Sequence, residues 1–286
     1  WASPSDVVRR ILGLLVRRVC RPADTTPKSA PFSMPHQAPD DVARWRPLLD
    51  AGLWFAALSA PLRDALLAAA RLRRLAAGQA LFLRGDAPCG LYAVLEGAVR
   101  ISGTGGNAGD SREVLLTLLE PPQWFGEVSL FDGAPRTHDA HAEGTTLLLQ
   151  VPQPALVQLL AREPAHWREL GLLMSHKLRL AFVALEEAAS LPVAQRLARR
   201  LVLMAEGYGT RRDTSQGMHR RSVAVSQEQL ALMLAASRQT INQNLKALEA
   251  RGVLRLGRGG LEILDLATLQ RLAGQGGPAA QAPTGE

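Results

Sequence analysis

Residues 125–142 read FGEVSLFDGAPRTHDAHA, which sets Gly126-Glu127 ten residues ahead of Arg136-Thr137 across a Phe-Asp-Gly-Ala-Pro turn. Arg136 offers a planar fork that can hold two oxygens of a phosphate, and Thr137 adds a hydroxyl beside it. Gly126 lets the backbone approach a ligand closely, and Glu127 can accept a hydrogen bond from a hydroxyl. A cation, backbone donors and an acceptor at this spacing suit a small anionic ligand. The same carboxylate and guanidinium also suit a plainer reading, an ion pair that holds a barrel corner with nothing bound. By strand alternation His138 shares the face of Arg136, Ala140 and Ala142, so its imidazole narrows any pocket there. With His141 it makes a His-x-x-His pair, as a cupin-like metal-binding barrel would need, but that spacing sends the two rings to opposite faces of a strand.

Residues 222–265, SVAVSQEQLALMLAASRQTINQNLKALEARGVLRLGRGGLEILD, carry a different chemistry. Ser226 with Gln229 three residues on has the spacing of a capping box, so a helix starts near Gln227. The chain turns at Ala235-Ala236, Ser237 caps a second helix, and Gly252 ends it. Two helices joined so tightly form a helix-turn-helix. On the second, Ile241, Leu245 and Leu248 make an apolar stripe that leaves Arg238, Gln239, Asn242, Gln243 and Lys246 on other faces. Arg pairs with guanine, Gln and Asn with adenine, and Lys with phosphate. Residues 253–264 then alternate as a β-hairpin wing with Arg258 at its tip, in reach of a sugar-phosphate backbone.

The elements that must carry these groups change character along the chain. Residues 41–74 place Leu48, Leu49, Leu53, Leu58, Leu62, Leu66, Leu67 and Leu72 at helical spacing. Residues 75–151 switch to short strands between glycines, QALFLRG, CGLYAVLEGAVRI, REVLLTLL, QWFGEVSLF and TTLLLQV, the pattern of a sandwich or barrel. Residues 103–111 form a hairpin loop by composition. Helical periodicity returns over 152–191, where Trp167, Gly171, Met174, Leu178, Ala181, Leu185 and Ala188 keep 4-3 spacing. A second stripe, Leu170, Leu173, Leu180 and Ala184, flanks it. One stripe buried on the barrel and the other on a partner helix predicts a parallel homodimer, while a helix with two apolar faces can also simply be buried. Leu191-Pro192 breaks the pattern and marks a hinge. A helix over 193–206 and a polar loop over 208–221 lead into the winged segment.

Counted by region, Lys and Arg stand against Asp and Glu as 8 to 5 over residues 1–50, 12 to 14 over 51–190 and 13 to 7 over 191–286. A basic C-terminal third beside a mildly acidic middle is the distribution of a nucleic-acid-binding module joined to a different domain. At 286 residues the chain is long enough for two cores. It holds no run of 18 apolar residues, so no membrane-spanning helix is expected. Residues 7–19 are a basic amphipathic segment without the uninterrupted apolar run of a signal peptide. The first methionine is Met34, so the residues ahead of it read as an extension at the gene start. Two cysteines, Cys20 and Cys89, cannot supply a disulfide framework, a four-thiolate zinc site or a four-thiolate iron-sulfur cluster. Cysteine usage this sparse fits a reducing cytoplasm.

A barrel carrying FGE and PRT, a long helix, and a winged unit with VSQEQLALMLAASRQTINQNLKALEARGVL, in that order over about residues 45–272, resembles the Crp/Fnr superfamily of bacterial transcription regulators. The division that follows is α+β. Residues 1–40 are a disordered extension, and 41–165 a jelly-roll sensor barrel of the cyclic nucleotide-binding kind. Residues 166–190 are a dimerisation helix, 191–273 a winged helix-turn-helix domain, and 274–286 a disordered tail. The resemblance implies a homodimeric, ligand-responsive regulator that is not an enzyme and holds no metal, with double-stranded DNA and RNA polymerase as partners. A kinase-type regulatory subunit would have no use for the winged segment.

Carried over by position, Gly126, Glu127, Arg136 and Thr137 would hold cyclic AMP or another cyclic nucleotide, with His138 beside them. Ser237, Arg238, Gln239 and Gln243 would face the major groove, Lys246 and Arg258 the phosphates, and Ser226, Gln227, Glu228 and Thr240 the nearby backbone. Three departures stand out. Cyclic-AMP binders continue Arg-Ser/Thr-Ala, where this chain has His138 and Asp139. They also turn a Thr-Ser pair on the long helix toward the adenine, where this chain has Ala181 and Phe182. Members that read the best-known cyclic-AMP receptor operator carry Arg-Glu and then Arg, so Arg238-Gln239 and Gln243 imply one guanine contact kept in a different half-site. A regulator of the same type without a nucleotide effector stays open.

Overall fold

The computed structural model describes residues 40–105, 112–210 and 222–274. The expectations for the N-terminal extension, most of the 103–111 loop, the loop after residue 210 and the tail lie outside them. Four short helices lead in: α1 (Asp40–Ala43), α2 (Arg46–Asp50), α3 (Leu53–Ala57) and α4 (Ala60–Ala69). Leu72, which the helical spacing takes in, belongs instead to strand β1 (Arg71–Leu75). All five residues of β1 pair with a later strand, from Arg71↔Gln150 to Leu75↔Thr146, and that long-range pairing overrides the local period.

Strands β2 (Ala80–Phe82), β3 (Gly90–Gly105), β4 (Arg112–Leu119), β5 (Trp124–Phe125) and β6 (Asp139–Pro152) complete an antiparallel sheet in the order β1-β6-β3-β4, with β2 also on β6 and β5 on β3. QWFGEVSLF does not run as one strand. After β5, Gly126 takes φ +99° and the chain winds into helix α5 (Val128–Asp132). A Cβ at Gly126 would stand 2.7 Å from the Gly90 carbonyl oxygen, so glycine alone fits this turn.

Strand alternation builds two cores. Leu91, Ala93 and Leu95 of β3 with Leu147, Leu149 and Val151 of β6 face the lead-in helices. Tyr92, Val94 and Leu148 face the barrel interior beside Phe82 and Phe125. Helix α6 (Gln153–Arg162) is followed by α7 (His166–Ser190), 25 residues long. The flanking stripe buries in part: Leu170 and Leu173 enter the barrel-side core, while Leu180 is half-buried against a C-terminal core.

Pro192 opens α8 (Val193–Ala205), and a 3-10 turn (Gly207–Gly209) closes it. The winged unit follows as β7 (Ser222–Val223), α9 (Gln227–Met233), α10 (Arg238–Ala250), β8 (Leu254–Gly257), β9 (Gly260–Ile263) and α11 (Leu266–Leu272), with its strands in the order β7-β9-β8. Its local signals act as read: Ser226 and Gln229 form the capping box, Ala235 takes φ +47° at the turn, and Ser237 Oγ accepts from the Thr240 N–H. Leu118 of β4 is buried in the winged core, so barrel and winged unit share packing. Among the described residues no helix is long and apolar enough to cross a membrane.

Candidate effector pocket and nucleic-acid interface

Arg136 lies 4% exposed at the barrel wall. Its Nη1 donates to the Gly126 carbonyl at 2.8 Å, and its Nη2 donates to the Gly90 carbonyl at 2.7 Å and to Cys89 Sγ at 3.1 Å. The guanidinium carbon stands 4.4 Å from the Phe82 ring centroid. Two backbone carbonyls and an aromatic face therefore hold the buried cation in place. Gly126 supplies one of those carbonyls at the point where its missing Cβ makes room.

Glu127 is also buried, at 3% exposed, but it does not pair with Arg136. Its Oε2 accepts from Lys177 Nζ of α7 at 2.8 Å. The ion-pair corner thus fails as a reading, because each of its two partners has a different one. Sequence reasoning misses Lys177, although the residue fills the gap at 177 in the stripe Leu170, Leu173, Leu180, Ala184. Thr137 is exposed, and its Oγ1 lies 2.9 Å from His138 Nδ1. His138 is half-buried against Gly103 of β3, and burial followed by the neighbouring Arg84 charge lowers its pKa. A neutral imidazole beside Thr137 adds no charge there.

The helix-turn-helix presents a second site. Arg238, Gln239, Gln243 and Lys246 are exposed on α10, Thr240 and Asn242 half-exposed, while Ile241, Leu245 and Leu248 are buried. Ser226 and Glu228 are exposed and Gln227 half-exposed at the start of α9, Ser237 is exposed at the start of α10, and Arg258 is exposed at the tip of the wing. Ser226, Gln227, Glu228 and Arg238 meet the wing glycines Gly257 and Gly259 around a cleft of about 250 Å³. The Leu256 N–H donates to Glu249 Oε1 at 2.8 Å, which fixes the wing to α10. Polar side chains on the outer face of a helix seated on the wing, with a basic wing tip beside it, suit a duplex with phosphates on both sides of a groove. Among the described residues no three His, Cys, Asp or Glu side chains converge as a metal site would require.

The chain matches the family model of the cyclic nucleotide-binding domain over residues 72–163 and that of the Crp-like helix-turn-helix domain over 195–272. It is 32% identical over 196 residues to the CRP-like cAMP-activated global transcriptional regulator of Mycobacterium tuberculosis, covering 68% of this chain and 85% of that one. The chain belongs to the Crp/Fnr family of transcription regulators. The cyclic AMP receptor protein of Thermus thermophilus is similar at 32% identity over 199 residues, covering 68% of this chain and 85% of its own length. Among solved structures, the c-di-GMP responsive global regulator CLP of Xanthomonas campestris has a TM-score of 0.56 at 25% identity, covering 72% of this chain and 99% of that one. FixK2 of Bradyrhizobium japonicum has a TM-score of 0.61 at 19% identity, covering 74% and 99%, and shares the fold. As a Crp/Fnr regulator the protein joins a cyclic nucleotide-binding domain to a DNA-binding helix-turn-helix; Gly126, Glu127, Arg136 and Thr137 fall within the first match and the helix-turn-helix residues within the second, while Lys177 lies between the two.

Proposed function

We propose that this Crp/Fnr regulator is a cytoplasmic homodimer whose DNA binding is controlled by a cyclic nucleotide held at Arg136 and Glu127. The observation that carries the reading is the Lys177–Glu127 pair, which ties a carboxylate in the pocket to the long helix. We assign residues 41–165 to the sensor, 166–190 to the dimer helix and 191–273 to the DNA-binding domain. Arg136 and Thr137 would take the cyclic phosphate, with Gly126 giving close backbone approach. Glu127 would accept from the ribose hydroxyl and so share its carboxylate between ligand and Lys177. Lys177 sits between Leu173, which with Leu170 enters the barrel-side core, and Leu180, which packs against the winged core. A change at Glu127 therefore alters which arrangement of α7 is favoured, a shift of population between two states of the dimer.

On the other face of α7, Leu178, Phe182 and Leu185 are 50%, 57% and 65% exposed, an apolar stripe that a second copy's α7 would cover. Two α10 helices would then enter successive major grooves about one DNA turn apart, with RNA polymerase as the further partner. No catalytic step belongs to this mechanism. Ala181 and Phe182 offer no hydroxyl to a base, which supports testing ligands beyond cyclic AMP. Calorimetry of the full chain with cyclic AMP, cyclic GMP and cyclic di-GMP, followed by duplex binding with and without the ligand that binds, is the test. A regulator without a nucleotide effector is the second reading, favoured by the carbonyls that already hold Arg136. It gains if none of the three binds and Arg136→Ala leaves duplex affinity unchanged.

A further inference from the structure

A chain of polar groups crosses the barrel wall from Arg71 to Arg136. Arg71 Nε donates to Gln150 Oε1 at 3.1 Å, and Gln150 Nε2 donates to Tyr92 Oη at 2.9 Å and to the Cys89 carbonyl at 2.9 Å. Tyr92 Oη then donates to Cys89 Sγ at 3.1 Å, and Arg136 Nη2 donates to the same sulfur at 3.1 Å. Gln150, Tyr92 and Arg136 are 2%, 0% and 4% exposed. The sulfur of the half-buried Cys89 thus receives two donors, one of them charged.

The guanidinium's donors decide what this means. Of its five N–H groups, Nη1 gives one to Gly126, while Nη2 gives both of its own, to Gly90 and to Cys89 Sγ. Nε is buried with no partner among the described residues. A phosphate held by two parallel bonds uses Nη2 in either geometry, end-on with Nη1 or side-on with Nε. Both Nη2 hydrogens are taken, so one bond must yield. The Gly90 carbonyl belongs to the β3 backbone and is a strong acceptor, whereas a thiol is a weak one. The sulfur bond costs least to break, and Tyr92 remains on the sulfur as a donor when it does. Burial, with the bond to Cys89 next, pushes the Tyr92 pKa well up, so that hydroxyl keeps its proton.

Resting on the nucleotide reading above, we infer that Cys89 is a placeholder acceptor in the effector pocket: its thiol occupies an Nη2 hydrogen of Arg136 until an anionic oxygen of the ligand displaces it. The sulfur then helps set the ligand affinity. Calorimetry of the full chain with cyclic AMP, cyclic GMP and cyclic di-GMP tests this on the wild type and three variants. Cys89→Ala frees the N–H and binds about two- to fivefold more tightly. Cys89→Ser, with a better acceptor, binds a few-fold more weakly. Cys89→Asp, whose carboxylate retains the guanidinium and repels a phosphate, binds about tenfold more weakly or worse. If the aspartate does not fold, the alanine and serine variants still decide. Affinities all within about twofold of wild type overturn the inference and leave the nucleotide reading intact, as does weaker binding by Cys89→Ala, which would make the thiol an anchor. Binding gained only by Cys89→Ala keeps the placeholder and ends the nucleotide reading for the wild type. No binding by either overturns both.

Discussion

Lys177 Nζ lies 2.8 Å from Glu127 Oε2 across the junction of long helix and barrel, with the carboxylate side chain 4% exposed and the lysine 31% exposed. The acid is in the protein and the base keeps a path to water, so the pair's value is mainly that it satisfies Glu127. Lys177→Ala strands a buried carboxylate and is expected to cost about 1–3 kcal/mol. Lys177→Arg keeps a cation in reach and costs less. Urea unfolding of both variants checks this, and equal losses would show that the stem of the side chain matters rather than its charge.

The exposed face of α7 gives the second prediction. Leu185 is 65% exposed and Phe182 57% exposed on a helix whose buried residues, His166, Leu170 and Leu173, lie near its N-terminal end. In a symmetric pair each substitution acts twice, and a buried leucine is worth about 1.5–3 kcal/mol. Leu185→Glu is expected to weaken self-association at least about a hundredfold. Sedimentation equilibrium reads this directly, and a variant that stays as dimeric as the wild type would place the interface elsewhere.

The winged unit is legible in the chain because its signals are local. Caps at Ser226 and Ser237, a turn at Ala235 and a glycine with φ +70° at 252 all lie within a few residues of the helices they bound. The barrel is less legible because partners far along the chain make it. Leu72 continues a helical period yet belongs to a strand on β6, and QWFGEVSLF divides at Gly126 because the Gly90 backbone leaves no room for a Cβ. The pocket is half-legible. Arg136 stands out by type, yet two of its three hydrogen-bond partners are backbone carbonyls, which no side chain announces. Lys177 completes the 3-4 spacing of a partly buried stripe, which marks its place on the helix but not its partner. That the partner is Glu127, 50 residues earlier, only the fold reveals.

Arg238, the proposed base reader, is exposed at the first position of α10, where Ser237 caps the helix. Arg238→Ala is expected to cost about 1–3 kcal/mol per half-site and to relax preference at one base pair. Arg258→Ala at the wing tip weakens all duplexes alike and lowers the salt slope by about one per subunit. Anisotropy titrations on a selected duplex and a scrambled one, at several salt concentrations, separate the two. Unchanged duplex binding by Arg238→Ala would put the reading surface elsewhere.

Acid should weaken the junction of α4 and α7. Glu169 accepts from the Ser59 N–H at 2.6 Å, from Ser59 Oγ at 3.0 Å and from His166 Nδ1 at 2.9 Å. Burial alone would raise its pKa, but the Ser59 backbone, His166 and the Ser59 hydroxyl together hold it below the ordinary 4.5. A depressed carboxylate contributes stability above its unfolded pKa and loses it as pH falls through the folded one. Glu169→Gln should therefore be less stable than wild type at neutral pH, with the gap closing below about pH 4.5. Chemical denaturation at pH 7, 5 and 3.5 tests the sign, and a gap that is constant with pH would refute it.

Leu118 of β4 is 3% exposed inside the winged core, and nearby Gln229 Nε2 donates to Glu143 Oε1 of β6 at 2.9 Å while its Oε1 accepts from the Ser226 N–H at 2.8 Å. Apolar burial is worth more than an exposed polar contact, so the leucine should carry the coupling between the two units. Leu118→Ala is expected to cost about 2–4 kcal/mol, and Glu143→Ala about 0.5 kcal/mol or less. The tryptophans permit a clean reading, since Trp1, Trp45, Trp54, Trp124 and Trp167 all precede the winged unit. In wild type and Glu143→Ala, fluorescence and far-UV circular dichroism should melt together. In Leu118→Ala the dichroism should fall first, as the winged helices unfold beneath an intact barrel. Coincident melting of that variant would mean that α7, through Leu180, holds the units together without β4.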